Sequence, residues 1–149
     1  MLKKYPFNVR VYGLLINANK QLLISDELEY GMKFSKFPGG GLEYGEGLPD
    51  GLKREFMEEC FFEIEILSHF YTTDFYLKSA FDDTQIISIY YLVKNLSPIN
   101  IPVKTAPFDF AERTAEGSFQ SFRWIDLDKL KIEDVTFPAD QKAVELLLK

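Results

Sequence analysis

Residues 40–62, GGLEYGEGLPDGLKREFMEECFF, decide how this chain is read. Leu52, Phe56 and Cys60 recur every four residues, which marks one apolar stripe of a helix. Pro49 falls in the first turn, where a missing N–H costs nothing. The spacing predicts a helix over Leu48–Cys60. At about 100° per residue, Glu55, Glu58 and Glu59 share an arc of about 100° beside the buried stripe. Three like charges in one patch repel one another, and a hard divalent cation with oxygen ligands offsets that repulsion. Gly39, Gly40 and Gly41 precede the helix and let backbone carbonyls or amides approach a metal or a phosphate closely. Arg54 stands beside the patch, where it can pair with a carboxylate and hold it in position; the plainer reading is an exposed i,i+4 pair with Glu58. Glu46 precedes the helix. It either bonds free N–H groups at the helix start or helps order the glycine loop, a supporting role rather than a ligand.

Outward from this segment, the order of elements is mixed. Phe7–Ile16 is rich in β-branched and aromatic residues and reads as a strand. Asn17–Lys20 reads as a hairpin turn into a second short strand, Gln21–Ser25. Residues 26–36 are polar with scattered aromatics and are expected to form a loop. After the helix, Phe62–Leu77 and Gln85–Lys94 are extended, with a turn at Asp82-Asp83. Residues 95–117 hold three prolines and several charges and read as a long loop, a kind of segment that often carries function. Phe119–Ile125 is a further strand, and Pro138–Leu148 an amphipathic terminal helix. The expectation is a single α/β (α+β) domain over residues 1–149, with helices packed on a mixed sheet.

Composition narrows the function. The net charge of −6 leaves no excess of Lys and Arg to neutralise a nucleic-acid backbone. A small phosphorylated substrate stays compatible with it, because a divalent metal supplies positive charge locally. Cys60 is the only cysteine, so no intrachain disulfide forms. The start, MLKKYPFNVR, has no apolar signal core, and no stretch approaches the ~20 apolar residues that span a bilayer. The expectation is a cytoplasmic protein that binds neither membrane nor nucleic-acid polymer and works alone or as a homodimer.

The segment resembles the Nudix box. There a Gly, five intervening residues, a Glu and seven further residues lead to Arg-Glu, an apolar residue, any residue and Glu-Glu. Gly40, Glu46, Arg54, Glu55, Phe56, Glu58 and Glu59 fit that spacing, and Pro38-Gly39 matches the usual lead-in. Chance agreement at the six fixed positions has odds on the order of 10⁻⁵. One position departs: Phe61 stands where the family has a Gly that stops the helix in a left-handed conformation. No carboxylate is lost by it, so it bears on the helix end more than on catalysis. Phe122–Leu130 and the terminal PADQKAVELLLK also resemble the closing strand and helix of many Nudix domains.

The resemblance implies an α/β/α sandwich around a mixed β-sheet. It implies Mg²⁺-dependent hydrolysis, with Mn²⁺ as a substitute, of a phosphoanhydride bond in a nucleoside diphosphate linked to another moiety. Glu58 and Glu59 would bind the metal with the carbonyl of Gly39 or Gly40, and Arg54 would orient the site through a salt bridge. Glu55 would be a ligand or the general base, and substrate would bring a second metal. The family often draws a further carboxylate from the loop before the closing strand. Glu116, followed by Gly117, is the first candidate, Glu112 the second, and Asp109 lies in the same loop.

Other residues carry plainer readings. His69 reads as structural or surface, and Cys60 as core-facing. Phe34, Phe37, Tyr71, Phe75 and Tyr76 are available to stack a base, but in a chain with 14 Phe and 8 Tyr most aromatics are core. The rival function is a Nudix-fold module that senses a nucleotide-like ligand without turnover; the intact carboxylate set argues against it. An isomerase on the same fold would want a longer chain and a catalytic cysteine elsewhere. No proline lies between Pro49 and Pro98, so the one expected in many ADP-ribose hydrolases is absent, and Tyr76 is wrongly spaced for a dinucleoside polyphosphate hydrolase.

Overall fold

The computed structural model describes residues 6–110 and 118–149. Strands β1 (Phe7–Leu15), β2 (Gln21–Glu29), β3 (Met32–Lys36) and β4 (Gly39–Gly41) lead into helix α1 (Leu48–Cys60). Strands β5 (Ile64–Thr72), β6 (Gln85–Asn95), β7 (Val103–Lys104) and β8 (Phe119–Asp126) follow, then two single turns of 3₁₀ helix and helix α2 (Pro138–Leu147). They form two four-stranded sheets, ordered β4-β1-β6-β5 and β3-β2-β8-β7. Both are mixed, because β1 pairs parallel to β6 and β7 parallel to β8.

β1 divides the core. Side chains alternate across a strand, so Val11 and Leu15 face one way and Tyr12 and Leu14 the other. On the first side they join Leu52, Phe56 and Cys60 of α1 with Phe62, Ile64 and Val93. On the second they join Phe37, Tyr90 and the α2 residues Ala139, Ala143 and Val144. One helix thus covers each face, the α/β/α arrangement the resemblance implies. The strands form two sheets rather than one.

The expected helix over Leu48–Cys60 is found with those bounds. Phe61 adopts the left-handed conformation, φ 61° and ψ 29°, and its N–H reaches back to the carbonyls of Phe56 and Met57. The helix therefore stops where the family's glycine would stop it, with a bulky residue in the strained position. The ring of Phe61 stays exposed.

The expected loop over residues 26–36 is instead a β-hairpin. β2 continues to Glu29, Tyr30 and Gly31 turn with φ 51° and 75°, and β3 returns. Two consecutive positive-φ residues are what a tight type I′ connection needs. The polar letters Asp26 and Glu27 concealed the strand because their partners are supplied by other strands, Arg123 of β8 and Lys36 of β3. Asp26, with no exposed surface, accepts from Arg123 Nε at 2.6 Å, and Glu27 pairs with Lys36 at 3.0 Å. Two smaller differences follow: the strand expected to reach Leu77 ends at Thr72, and the loop after Asn95 contains the short strand β7.

Candidate active site

β4 is an edge strand of three glycines pairing antiparallel with β1, and its backbone runs directly above Glu55. A Cβ on Gly40 would stand 2.7 Å from the Glu55 carboxylate, so a side chain there would displace it. Gly39 has φ 144°, and a Cβ on it would meet the Val11 carbonyl at 2.1 Å. The two glycines are fixed by close approach and by backbone conformation respectively.

Arg54 organises the helix side of this edge. Its Nε and Nη2 grip Glu46 in a bidentate pair, at 3.0 and 2.7 Å, and Nη2 also donates to the Gly41 carbonyl at 2.9 Å. Its Nη1 donates to Glu55 and to Glu58, each at 3.1 Å. The structural salt bridge and the plain i,i+4 pair therefore coexist on one guanidinium. Glu46 accepts in addition the backbone N–H of Glu43 at 2.8 Å, which ties the glycine-rich turn to the helix. The Arg54 guanidinium and that N–H hold the Glu46 carboxyl down at about 2. Glu46 thus orders the loop, as a supporting residue.

The three helix carboxylates are not equivalent. Glu58 is largely exposed and bonded to Arg54, whereas Glu55 is nearly covered beneath Gly40. Glu59 lies inward, and its Oε2 is buried without a hydrogen-bond partner. Burial pushes the Glu59 carboxyl up to about 7 against the pull of the Lys36 ammonium, with Glu27 and Glu55 adding to the rise. Among the described residues, no three acidic, His or Cys side chains converge on one point. The structure brings Glu55 and Glu59 to the glycine edge and leaves Glu58 turned toward Arg54. Glu112 and Glu116 lie outside the described residues. Asp109 is half-buried in the preceding loop.

These donors suit a hard divalent cation: two carboxylates, a third on the adjacent turn, and the backbone oxygens of a side-chain-free strand. The orphaned Oε2 of Glu59 is a buried lone pair with nothing to accept, the condition a bound cation relieves.

Beyond β4 opens a cleft of about 390 Å³ between the sheets and the start of α2, and it too reaches Glu55 and Glu59. Asn8, Arg10 and Tyr12 of β1 and Ile86, Ser88 and Tyr90 of β6 form its floor. Glu27 and Lys36 line the side nearest Glu59. There the Lys36 ammonium also donates to the Gly39 carbonyl at 3.1 Å. Behind that pair, Gln120 and Ser25 bond to one another at 2.9 Å and the Ser25 hydroxyl donates to Glu27 at 2.8 Å. Tyr90 donates to Asp140 of α2, and burial raises the Asp140 carboxyl to about 6. Phe34, Phe81 and Phe137 collar the mouth in edge and tilted ring contacts, with ring centroids 5.2 to 6.3 Å apart.

Sequence reasoning found the helix carboxylates and missed this cleft. One signal was available, the alternation of Asn8, Arg10 and Tyr12 with Val9 and Val11, which marks a strand with one polar wall. Of the candidate stacking aromatics, Phe34 lines the cleft, Phe37 and Tyr71 belong to the core, and Phe75 and Tyr76 are exposed outside it. His69 is a surface residue bonded to Thr72 at 2.8 Å. Cys60 is buried, and burial pushes its thiol up to about 12, so it is no nucleophile.

A family model described as NUDIX domain matches residues 6–147. No curated protein sequence matches the chain. Among solved structures, a NUDIX hydrolase from Nitrosomonas europaea superposes with a TM-score of 0.67 at 19% identity, covering 94% of this chain and 87% of its own. A MutT protein from Methanosarcina mazei Go1 gives 0.65 at 18% identity, covering 97% and 94%. An ADP-ribose pyrophosphatase from Streptococcus suis gives 0.60 at 12% identity, covering 95% and 89%. At these identities the superpositions speak for the fold.

Proposed function

The chain belongs to the Nudix family, and on that footing we propose that it is a divalent-metal-dependent hydrolase of phosphoanhydride bonds in a nucleoside diphosphate linked to another moiety. The observation that carries this reading is the Glu59 carboxylate, buried with an unpartnered oxygen beside Glu55 and the glycine edge. Glu55, Glu58 and Glu59, with the carbonyl of Gly39 or Gly40, would hold Mg²⁺ or, in its place, Mn²⁺. When bound, the metal supplies charge neutralisation at phosphorus-bound oxygens and lowers the pKa of water.

The chain's own residues do the rest. Arg54 pins Glu55 and Glu46 together, so the helix and the glycine turn keep one spacing. Glu55, beneath Gly40, would either complete the ligand set or accept a proton from attacking water, and Glu116 or Glu112 would be the alternative base. The cleft seats the organic part of the substrate, with an aromatic collar at its mouth and a polar floor. The substrate is a small phosphorylated molecule rather than a nucleic-acid polymer or a membrane. No described helix is long and apolar enough to cross a membrane.

The test is a phosphate-release screen with Mg²⁺ and then Mn²⁺. It covers nucleoside di- and triphosphates, oxidised nucleotides, dinucleoside polyphosphates, nucleotide sugars and ADP-ribose. Turnover of at least one substrate that stops with excess chelator is expected. Turnover undiminished in chelator would overturn the metal-dependent reading, and metal-dependent binding of a nucleotide without turnover would favour a sensing module.

A further inference from the structure

Arg10 is a cation of the cleft that makes no direct ion pair among the described residues. Its Nε donates to the Tyr12 hydroxyl at 2.5 Å, and its guanidinium lies 5.6 Å from the centre of the Tyr12 ring. That contact uses one of the five donors of a guanidinium. Among the described residues, no carboxylate lies within ion-pairing distance of it, whereas Lys36, the cation deeper in the cleft, is engaged by Glu27 at 3.0 Å. Arg10 is half-buried and lines the cleft. Burial opposes its charge, and Tyr12 together with the more distant carboxylates of Glu55 and Glu27 offsets that, so the charged form is held without a direct ion pair.

The position of Arg10 says what it can bind. Arg10 pairs with Gly41, and its Nη1 lies 3.7 Å from where a Cβ of Gly41 would stand. Adjacent residues of a strand face opposite ways. Gly40 therefore turns toward Glu55 on one side of β4, while Gly41 opens toward Arg10 on the other. A substrate held by its phosphates at Glu55 and Glu59 extends into the cleft that both carboxylates line, and there Arg10 stands on the floor beside Gly41, a cation with no direct ion pair. The planar fork of a guanidinium matches phosphoryl oxygens in a bidentate way that an ammonium does not.

We propose that Arg10 is a specificity residue that takes a phosphoryl group not held by the metal, so that the moiety linked to the nucleoside diphosphate is anionic there, a further phosphate rather than a neutral sugar. This rests on the phosphoanhydride hydrolase reading and assigns to Arg10 the recognition of the linked moiety.

The experiment compares the full chain with Arg10→Gln and Arg10→Lys in Mg²⁺, on a nucleoside triphosphate and on a nucleoside diphosphate sugar. For Arg10→Gln we expect KM for the triphosphate to rise about tenfold or more, with kcat little changed and a clearly smaller rise in KM for the sugar substrate. Arg10→Lys restores part of the loss. An equal loss on both substrates, or a fall in kcat alone, overturns the proposal and leaves Arg10 a packing partner of Tyr12. In parallel, calorimetry measures inorganic tripolyphosphate binding to wild type and to Arg10→Gln in Mg²⁺. Equal affinity overturns the proposal. Weaker binding to the variant, in a protein that hydrolyses nothing, supports the role of Arg10 while overturning the hydrolase reading.

Discussion

The two sides of strand β4 are built on opposite plans. On the α1 side, the charged groups come from a short run of sequence, Glu43 to Glu59, and most remain within reach of water: one guanidinium holds Glu46, Glu55 and Glu58. On the cleft side, Glu27 of β2 pairs with Lys36 of β3, and in the same sheet Asp26 pairs with Arg123 of β8, so the buried pairs are assembled from three strands. Solvated pairs contribute little to stability, whereas breaking a buried pair strands a charge. The α1 side should therefore be sensitive in function and tolerant in folding, and the Asp26–Arg123 sheet the reverse.

The strongest test of this contrast is Arg123→Met set against Arg54→Met. The first leaves the fully buried Asp26 unpaired and is expected to cost about 3–5 kcal/mol in urea unfolding. The second should cost about 1 kcal/mol or less while lowering turnover, because it frees Glu55 and Glu46 from one another. Equal unfolding costs would remove the distinction. Glu59→Gln comes next. It keeps the shape but removes a charge from the site, so kcat should fall about 10²-fold or more. Without metal, its melting temperature should hold or rise, since the buried carboxylate is raised to about 7 by burial. Wild-type turnover in a folded variant would refute the site.

A smaller effect is expected at Asp140, which meets Tyr90 directly and feels Lys36, Arg10 and Glu27. Its carboxyl is raised from 3.8 to about 6, so the folded chain holds that proton more tightly than the unfolded one. Stability then falls as pH rises from about 4 to about 6, and the penalty is full above that range. Asp140→Asn should raise stability by about 3 kcal/mol at pH 8 and change little at pH 4. A gain independent of pH would contradict the assignment. The smallest effect is at Phe61. Its ring is exposed at 76%, so Phe61→Gly loses little packing and relieves a left-handed conformation. A gain of about 1 kcal/mol in thermal unfolding is expected, with turnover unchanged.

The same contrast explains what the sequence made legible. Leu48–Cys60 could be read to the residue, because a helix writes its period, its first turn and its carboxylate arc into consecutive letters. The hairpin over residues 26–36 could not. Asp26 and Glu27 look like loop residues until Arg123 and Lys36 arrive, and the first of those lies about a hundred positions away; only Tyr30-Gly31 hinted at a turn. Phe61 shows a third case. The family's spacing gave the site of the helix stop, but that a Phe would hold the left-handed conformation is decided by the folded chain. Arg10, Tyr90 and Asp140 were illegible for the same reason as Asp26: their company is assembled by pairing β1 with β6 and packing α2 across both.

The alternation of β1 also limits how this protein can diversify. Its odd positions carry Val11 and Leu15 against α1, and its even positions carry Asn8, Arg10 and Tyr12 into the cleft. Inserting or deleting one residue in that strand would exchange the two sets at a stroke, sending Arg10 under the helix and Val11 into the cleft. Length changes in β1 are thus closed to drift, while point substitutions at the even positions remain open. Descendants of this chain would acquire new tastes one letter at a time along a strand of constant length, with the hydrolytic edge inherited unaltered beside it.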